Sequence, residues 1–215
     1  MKKIMFNDKY NLTAAVLEGR KTMTRRVINP PRRTIEGKEV CGFEIHMTHD
    51  GIPYEVWLTG PNDESICQLL PTYKRGEVVA IAQAYKDIIG DHVWLQSSET
   101  GVSLHRKVVE REAGWNNKLY VASEFMPHHI RITDIRLVRL QYISNEQCMK
   151  EGIRKKSNFP TKKLLPYYFD GGIHIWDYSV STPRKAFAAL INKVSGKGTW
   201  ESNPWVFSYT FVLID

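Results

Sequence analysis

The sequence predicts an α+β fold, a mixed β-barrel with about three helices packed around it. Three observations point there. Short β-rich runs are spread over the whole chain, helical periodicity appears in only three places, and no strand–helix–strand alternation recurs as a parallel sheet would require. The 215 residues, 42% of them hydrophobic, can bury a sizeable core as one domain over 1–215.

The elements follow in order. Asn7 or Asp8 caps a first helix over 7–18, with Tyr10, Ala14 and Leu17 as its apolar stripe. Gly19 closes it, because glycine tolerates the left-handed conformation that ends a helix. A strand over 23–28 stops at Pro30-Pro31. An excursion over about 32–72 carries strand-like pieces at 40–46 and 54–58, separated by turn clusters. The run 77–85 reads as a strand, a second excursion spans about 87–117, and 119–122 reads as a further strand. A long alternating strand covers 130–143. Ser144 and Gln147 form a capping box for a second helix that Gly152 ends. Thr182-Pro183 opens a third helix, with Phe187, Leu190, Ile191 and Val194 facing the core. The run 205–214 is the last strand, its alternation placing one face in the interior.

Composition narrows the function classes. A net charge of +7 permits polyanion binding. No apolar run is long enough to span a membrane, and the three apolar residues after Met1-Lys2-Lys3 are too few for a signal peptide. Cys41, Cys67 and Cys148 are odd in number and widely spaced, which fits free thiols in a reducing cytoplasm. His46, His49 and Asp50 have metal-like spacing, but no third histidine or cysteine stands near, so neither a metal nor a cofactor is expected. His128-His129 reads as a pocket edge or a packing pair.

The most informative stretch is Gly19-Arg20-Lys21-Thr22-Met23-Thr24-Arg25-Arg26. Four cations, Arg20, Lys21, Arg25 and Arg26, and two hydroxyls, Thr22 and Thr24, sit within seven residues of this helix-to-strand turn. Such a set suits a phosphate, a nucleobase or an acyl group. Successive strand residues point to opposite faces, so Lys21 and Thr24 serve one site only if Lys21 lies in the turn before regular strand begins. A second basic cluster, Arg154-Lys155-Lys156 with Lys162-Lys163, suits a solvated loop or phosphate tracking.

Taken in order, Gly19 to Arg26 with Pro30, Met126-Pro127, Val138 to Glu146, Glu151-Gly152-Ile153 and Asn203 to Val206 resemble the ASCH family of the PUA-like superfold, in its phage and prophage form. The resemblance implies a β-barrel with a cleft between helix and barrel, where RNA or a modified nucleotide or nucleoside binds. It also implies a reaction, since some small ASCH proteins resemble amidohydrolases that remove the acetyl group of N(4)-acetylcytidine. The positions of that motif are Lys21, Thr24 and Glu151. Arg20, Thr22, Arg25, Arg26, Gln83, Tyr85, Met126 and Pro127 would then line the ligand site, Tyr85 as a stacking face. Ala82 and Gln83 stand where the phage relatives carry an Arg-Glu pair. That replacement places a binding module first and an amidohydrolase second. A ribonuclease comes third, without a metal-carboxylate cluster to support it.

Overall fold

The computed structural model describes residues 1–31, 33–35, 37–97, 99–156, 166–171 and 179–215. Its mixed α+β architecture centres on one five-stranded sheet made of β1 (Lys3–Ile4), β2 (Met23–Val27), β3 (Val78–Ile81), β4 (His129–Arg139) and β5 (Trp205–Leu213). The order across the sheet is β1-β3-β4-β5-β2. β1 runs parallel to β3, and the remaining pairs are antiparallel. The β4–β5 ladder is the longest and breaks register between Ile132 and Asp134, a bulge that sharpens the local twist.

No ladder joins β1 to β2 among the described residues. Side chains bridge these two edges instead. Arg26 on β2 donates from Nη2 to the carbonyl of Met5, just past β1, and Phe6 packs against Phe211 with ring centroids 5.7 Å apart. These contacts bring the chain just past β1 against β2, with Phe6 between the two edges.

The described residues contain six α-helices rather than about three, and three of them contribute to the core over this sheet: α1 (Leu12–Leu17), α2 (Asn145–Lys150) and α3 (Pro183–Val194). The main core joins Ile4, Val79, Ile130, Ile132, Tyr209 and Phe211 from the sheet to Leu12 and Val16 of α1 and to Phe187, Leu190 and Ile191 of α3. α3 starts as its sequence predicts, with Thr182 Oγ1 accepting from the Lys185 amide and Pro183 in the first turn. Val194 in its last turn is half-exposed rather than core. α2 opens on the predicted capping box, both halves of which form.

Outside this centre, Gly42–Met47, Pro53–Thr59 and Ser65–Gln68 form a three-stranded antiparallel sheet. A second apolar cluster, with Tyr85, Ile89, Val109, Val121, Phe125 and Met126, lies under the 85–126 segment.

Several expected elements change. The helix expected over 7–18 divides at Asn11, whose φ of 51° interrupts it between a 3₁₀ turn, Asp8–Tyr10, and α1. The strand expected over 77–85 ends at Ile81, and Tyr85 begins a short helix, Tyr85–Ile89. The 119–122 strand is replaced by two 3₁₀ turns, Lys118–Tyr120 and Ser123–Phe125. In the second basic cluster, Arg154–Lys155 forms a short strand against Tyr167–Tyr168; Lys162 and Lys163 lie outside the described residues.

Candidate functional site

The site begins at Gly19, whose φ of +71° turns the chain sharply out of α1. Regular strand starts only at Met23, so Lys21 lies in the turn, as the shared-site reading requires. Two backbone bonds fix that turn: the Lys21 amide donates to Ala15 O at 2.8 Å, and the Thr22 amide donates to Lys150 O at 2.9 Å. The second bond ties the entry of β2 to the end of α2. Gly152 allows the close approach, because its φ is +104° and a Cβ there would lie 3.2 Å from Leu12 Cδ2 and 3.7 Å from Lys21 Cδ.

Lys21 and Glu151, 130 residues apart in sequence, meet in the gap this creates. Lys21 Nζ donates to Glu151 Oε2 at 2.8 Å, to Glu151 O at 2.9 Å and to Met23 O at 2.8 Å. An ammonium has three protons, so all of them are engaged. Arg25 Nη1 donates to the other carboxylate oxygen, Glu151 Oε1, at 3.0 Å, and Arg25 Nη2 donates to Gln147 Oε1 at 3.1 Å. The side chains of Lys21, Arg25 and Glu151 are each 4% exposed or less. Two cations thus share one carboxylate away from water.

Burial is the main force on Lys21 and holds its pKa below the ordinary lysine value. Glu151 opposes that shift, and Arg26 and Arg25 reinforce it. Lys21 Nζ also stands 5.8 Å from the centre of the Phe6 ring.

Lys21, Thr24, Arg25, Arg26 and Glu151 all line one cavity of about 90 Å³, walled by Phe6, Leu12, Phe187 and Leu190. The Thr24 side chain is buried, and its hydroxyl makes no hydrogen bond among the described residues. The space would hold a small polar group or a few water molecules, and is well below the size of a typical pocket for a whole drug-sized ligand. The cavity brings together a threonine hydroxyl, an amine whose proton affinity is reduced, and a carboxylate in contact with that amine.

The other expected site residues divide. Arg20 points away, with Nε on Glu18 Oε2 at 2.5 Å. Thr22 acts through its backbone, which also accepts from the Phe211 amide at 3.0 Å. Arg26 is exposed and reaches the cavity's rim. Gln83, Tyr85, Met126 and Pro127 are not among the residues that line it. They gather at the second apolar cluster, where the Gln83 amide lies 3.2 Å from Met126 Sδ and Pro127 is exposed.

Tyr85 as a stacking face is corrected. Its ring is 7% exposed, meets Phe125 edge-on and is covered by Gly114, where a Cβ would fall 2.5 Å from the ring. His129 pairs with Asp215 at 2.6 Å and lines a different pocket, beside Met126 and Pro127. His46 stacks on Trp57, and among the described residues no three metal-ligating side chains cluster.

Phe6 and the Gln147 contact to Arg25 were not foreseen. A signal for the second was present: Gln147 and Glu151 are four residues apart and so share a helix face. No family model matches the chain, and neither a curated protein nor a solved structure is found to be similar to it.

Proposed function

We propose that this protein is an ASCH-type amidohydrolase of PUA-like fold that removes the acyl group from an N-acylated nucleoside such as N(4)-acetylcytidine. The observation that carries this reading is the meeting of Lys21, Thr24 and Glu151 on one small, largely buried cavity. The same observation weighs against polyanion capture by Lys21 and Arg25. Phosphate binding needs cations that reach solvent, whereas Lys21 and Arg25 spend their protons inside the protein. A cavity of this size suits the acyl amide end of a substrate, with the nucleoside outside it near Arg26.

The reaction begins with transfer of a proton from Lys21 Nζ to Glu151 Oε2, which leaves a neutral amine. As the Thr24 oxygen attacks the acyl carbonyl carbon, its proton passes to Lys21. Arg26 supplies positive charge for the oxyanion that forms. The C–N bond then breaks, and Lys21 returns a proton to the departing exocyclic amine. Water attacks the acyl-threonine ester through the same amine, releasing the carboxylic acid and restoring the hydroxyl. Arg25 touches no reacting atom and holds Glu151 in place.

The test is mass spectrometry of N(4)-acetylcytidine and other N-acylated nucleosides incubated with wild type and with Lys21→Met. Methionine keeps the stem's apolar volume and leaves Glu151 paired with Arg25. Wild type should release the free amine and the variant none. Absence of product from wild type across the panel would overturn the reading.

A further inference from the structure

The capping box of α2 has a second use. In its usual role the third residue's side chain only turns back to the N-cap amide. Here Gln147 Oε1 accepts from the Ser144 amide at 3.1 Å and, at the same time, from Arg25 Nη2 at 3.1 Å. Arg25 is thereby tied to the face of α2 that carries both Gln147 and Glu151. Its Nη1 meets Glu151 Oε1, which leaves Oε2 turned toward Lys21. One unbroken line of hydrogen bonds joins the start of the helix to the buried amine: Ser144 amide, Gln147, Arg25, Glu151, Lys21.

We infer that Gln147 and Arg25 are positioning residues that set the proton exchange between Glu151 and Lys21, so that a capping-box residue tunes the candidate catalytic pair without touching it. The catalytic consequence rests on the hydrolase reading above; the electrostatic link does not. Three features support it. Arg25 is buried to the same degree as its partners, so its charge acts at low screening. Among the described residues the Arg25 guanidinium pairs with one carboxylate, which makes Glu151 the group that feels a change on the arginine. And Gln147 Oε1 is the acceptor that engages Nη2, while Nε is buried without a partner among the described residues, so losing Gln147 leaves the fork held only through Nη1, on Glu151 Oε1 and Met23 Sδ.

Among the described residues the charged and titratable surroundings are these. α2 presents Glu151 and Cys148, whose thiol is pushed up to about 11 by burial and stays uncharged near neutrality. β2 presents Arg25 and Arg26 to Lys21, and Arg184 of α3 acts on Cys148.

The test uses Gln147→Glu. Glutamate is as good a capping-box residue as glutamine, so the helix start is retained. The new carboxylate competes for Arg25 and adds negative charge behind it. Titration of the Lys21 side chain by NMR, on the full chain without substrate, should then move upward by roughly half a pH unit or more. Arg25→Met should move it in the same direction, because a cation that disfavours the ammonium is gone. If wild type proves to be a hydrolase, the acidic limb of its pH–rate profile should shift upward in step, by a similar amount. A folded Gln147→Glu protein whose Lys21 titrates as in wild type would overturn the relay. Absence of turnover in wild type would overturn the hydrolase reading and leave the NMR result to decide the relay by itself.

Discussion

A lysine buried among backbone carbonyls is costly unless something answers its charge, and Lys21 is answered by one carboxylate that it shares with Arg25. Glu151 is therefore the residue on which both cations depend. Glu151→Gln should destabilise the fold by about 3–5 kcal/mol, the range for leaving buried charge unpaired, as measured by urea denaturation. Lys21 makes a contribution to stability that depends on pH. Its folded pKa lies below the unfolded value of 10.5, so its contribution is most favourable above that value and is lost as pH falls through the folded one. Between those two values wild type should gain stability with rising pH relative to Lys21→Met. Below the folded value the difference between the two should be flat. Denaturation midpoints measured across the alkaline range check this, since the difference cancels the tyrosines common to both proteins.

At the scale of elements, α2 is the part that assembles the site. It begins at a capping box and ends at Glu151 and Gly152, and both ends were readable because their signals are local. Gly152 has little freedom to change: φ is +104° and Leu12 is close. Gly152→Ala should cost about 1–3 kcal/mol and lower the thermal midpoint. Other elements were less legible for a physical reason. The run 77–85 has strand composition throughout, but the ladder to β4 ends and the Tyr85 ring is buried against Phe125, so packing and not propensity sets the boundary. The break at Asn11 depends on a single left-handed residue inside an otherwise helical pattern. The placing of Lys21, Thr24 and Glu151 together was expected only through the family resemblance, on the condition that Lys21 precede the strand; residue spacing by itself reads Glu151 as a solvated helix-end carboxylate. Phe6 and the Gln147–Arg25 contact were not legible, because each is defined by a partner far away in sequence.

At the scale of the molecule, the chain just past β1 places Phe6 against the site, and lysines tie that edge down. Lys118 Nζ donates to Phe6 O, to Asp8 Oδ1 at 2.7 Å and to Thr13 Oγ1 at 3.1 Å. Lys3 Nζ in turn donates to the carbonyls of Lys118, Leu119 and Val121. Two lysines thus fasten the 113–126 segment to the N-terminal edge by reciprocal bonds. Lys118→Met should speed hydrogen exchange of amides in that segment and around Phe6, while the β4–β5 ladder keeps its protection. Nothing in hydrophobic patterning announces such ties, since a lysine at either position reads as surface.

The measurement that bears most directly on the central claim compares Thr24→Ser with Thr24→Val on whichever N-acylated nucleoside wild type turns over. Serine keeps a hydroxyl in the cavity, and valine keeps the shape without it. If Thr24 is the nucleophile, Thr24→Ser retains turnover and Thr24→Val loses it by about 10³-fold or more with the fold intact. Thr24→Val that hydrolyses the amide as wild type does would contradict the account.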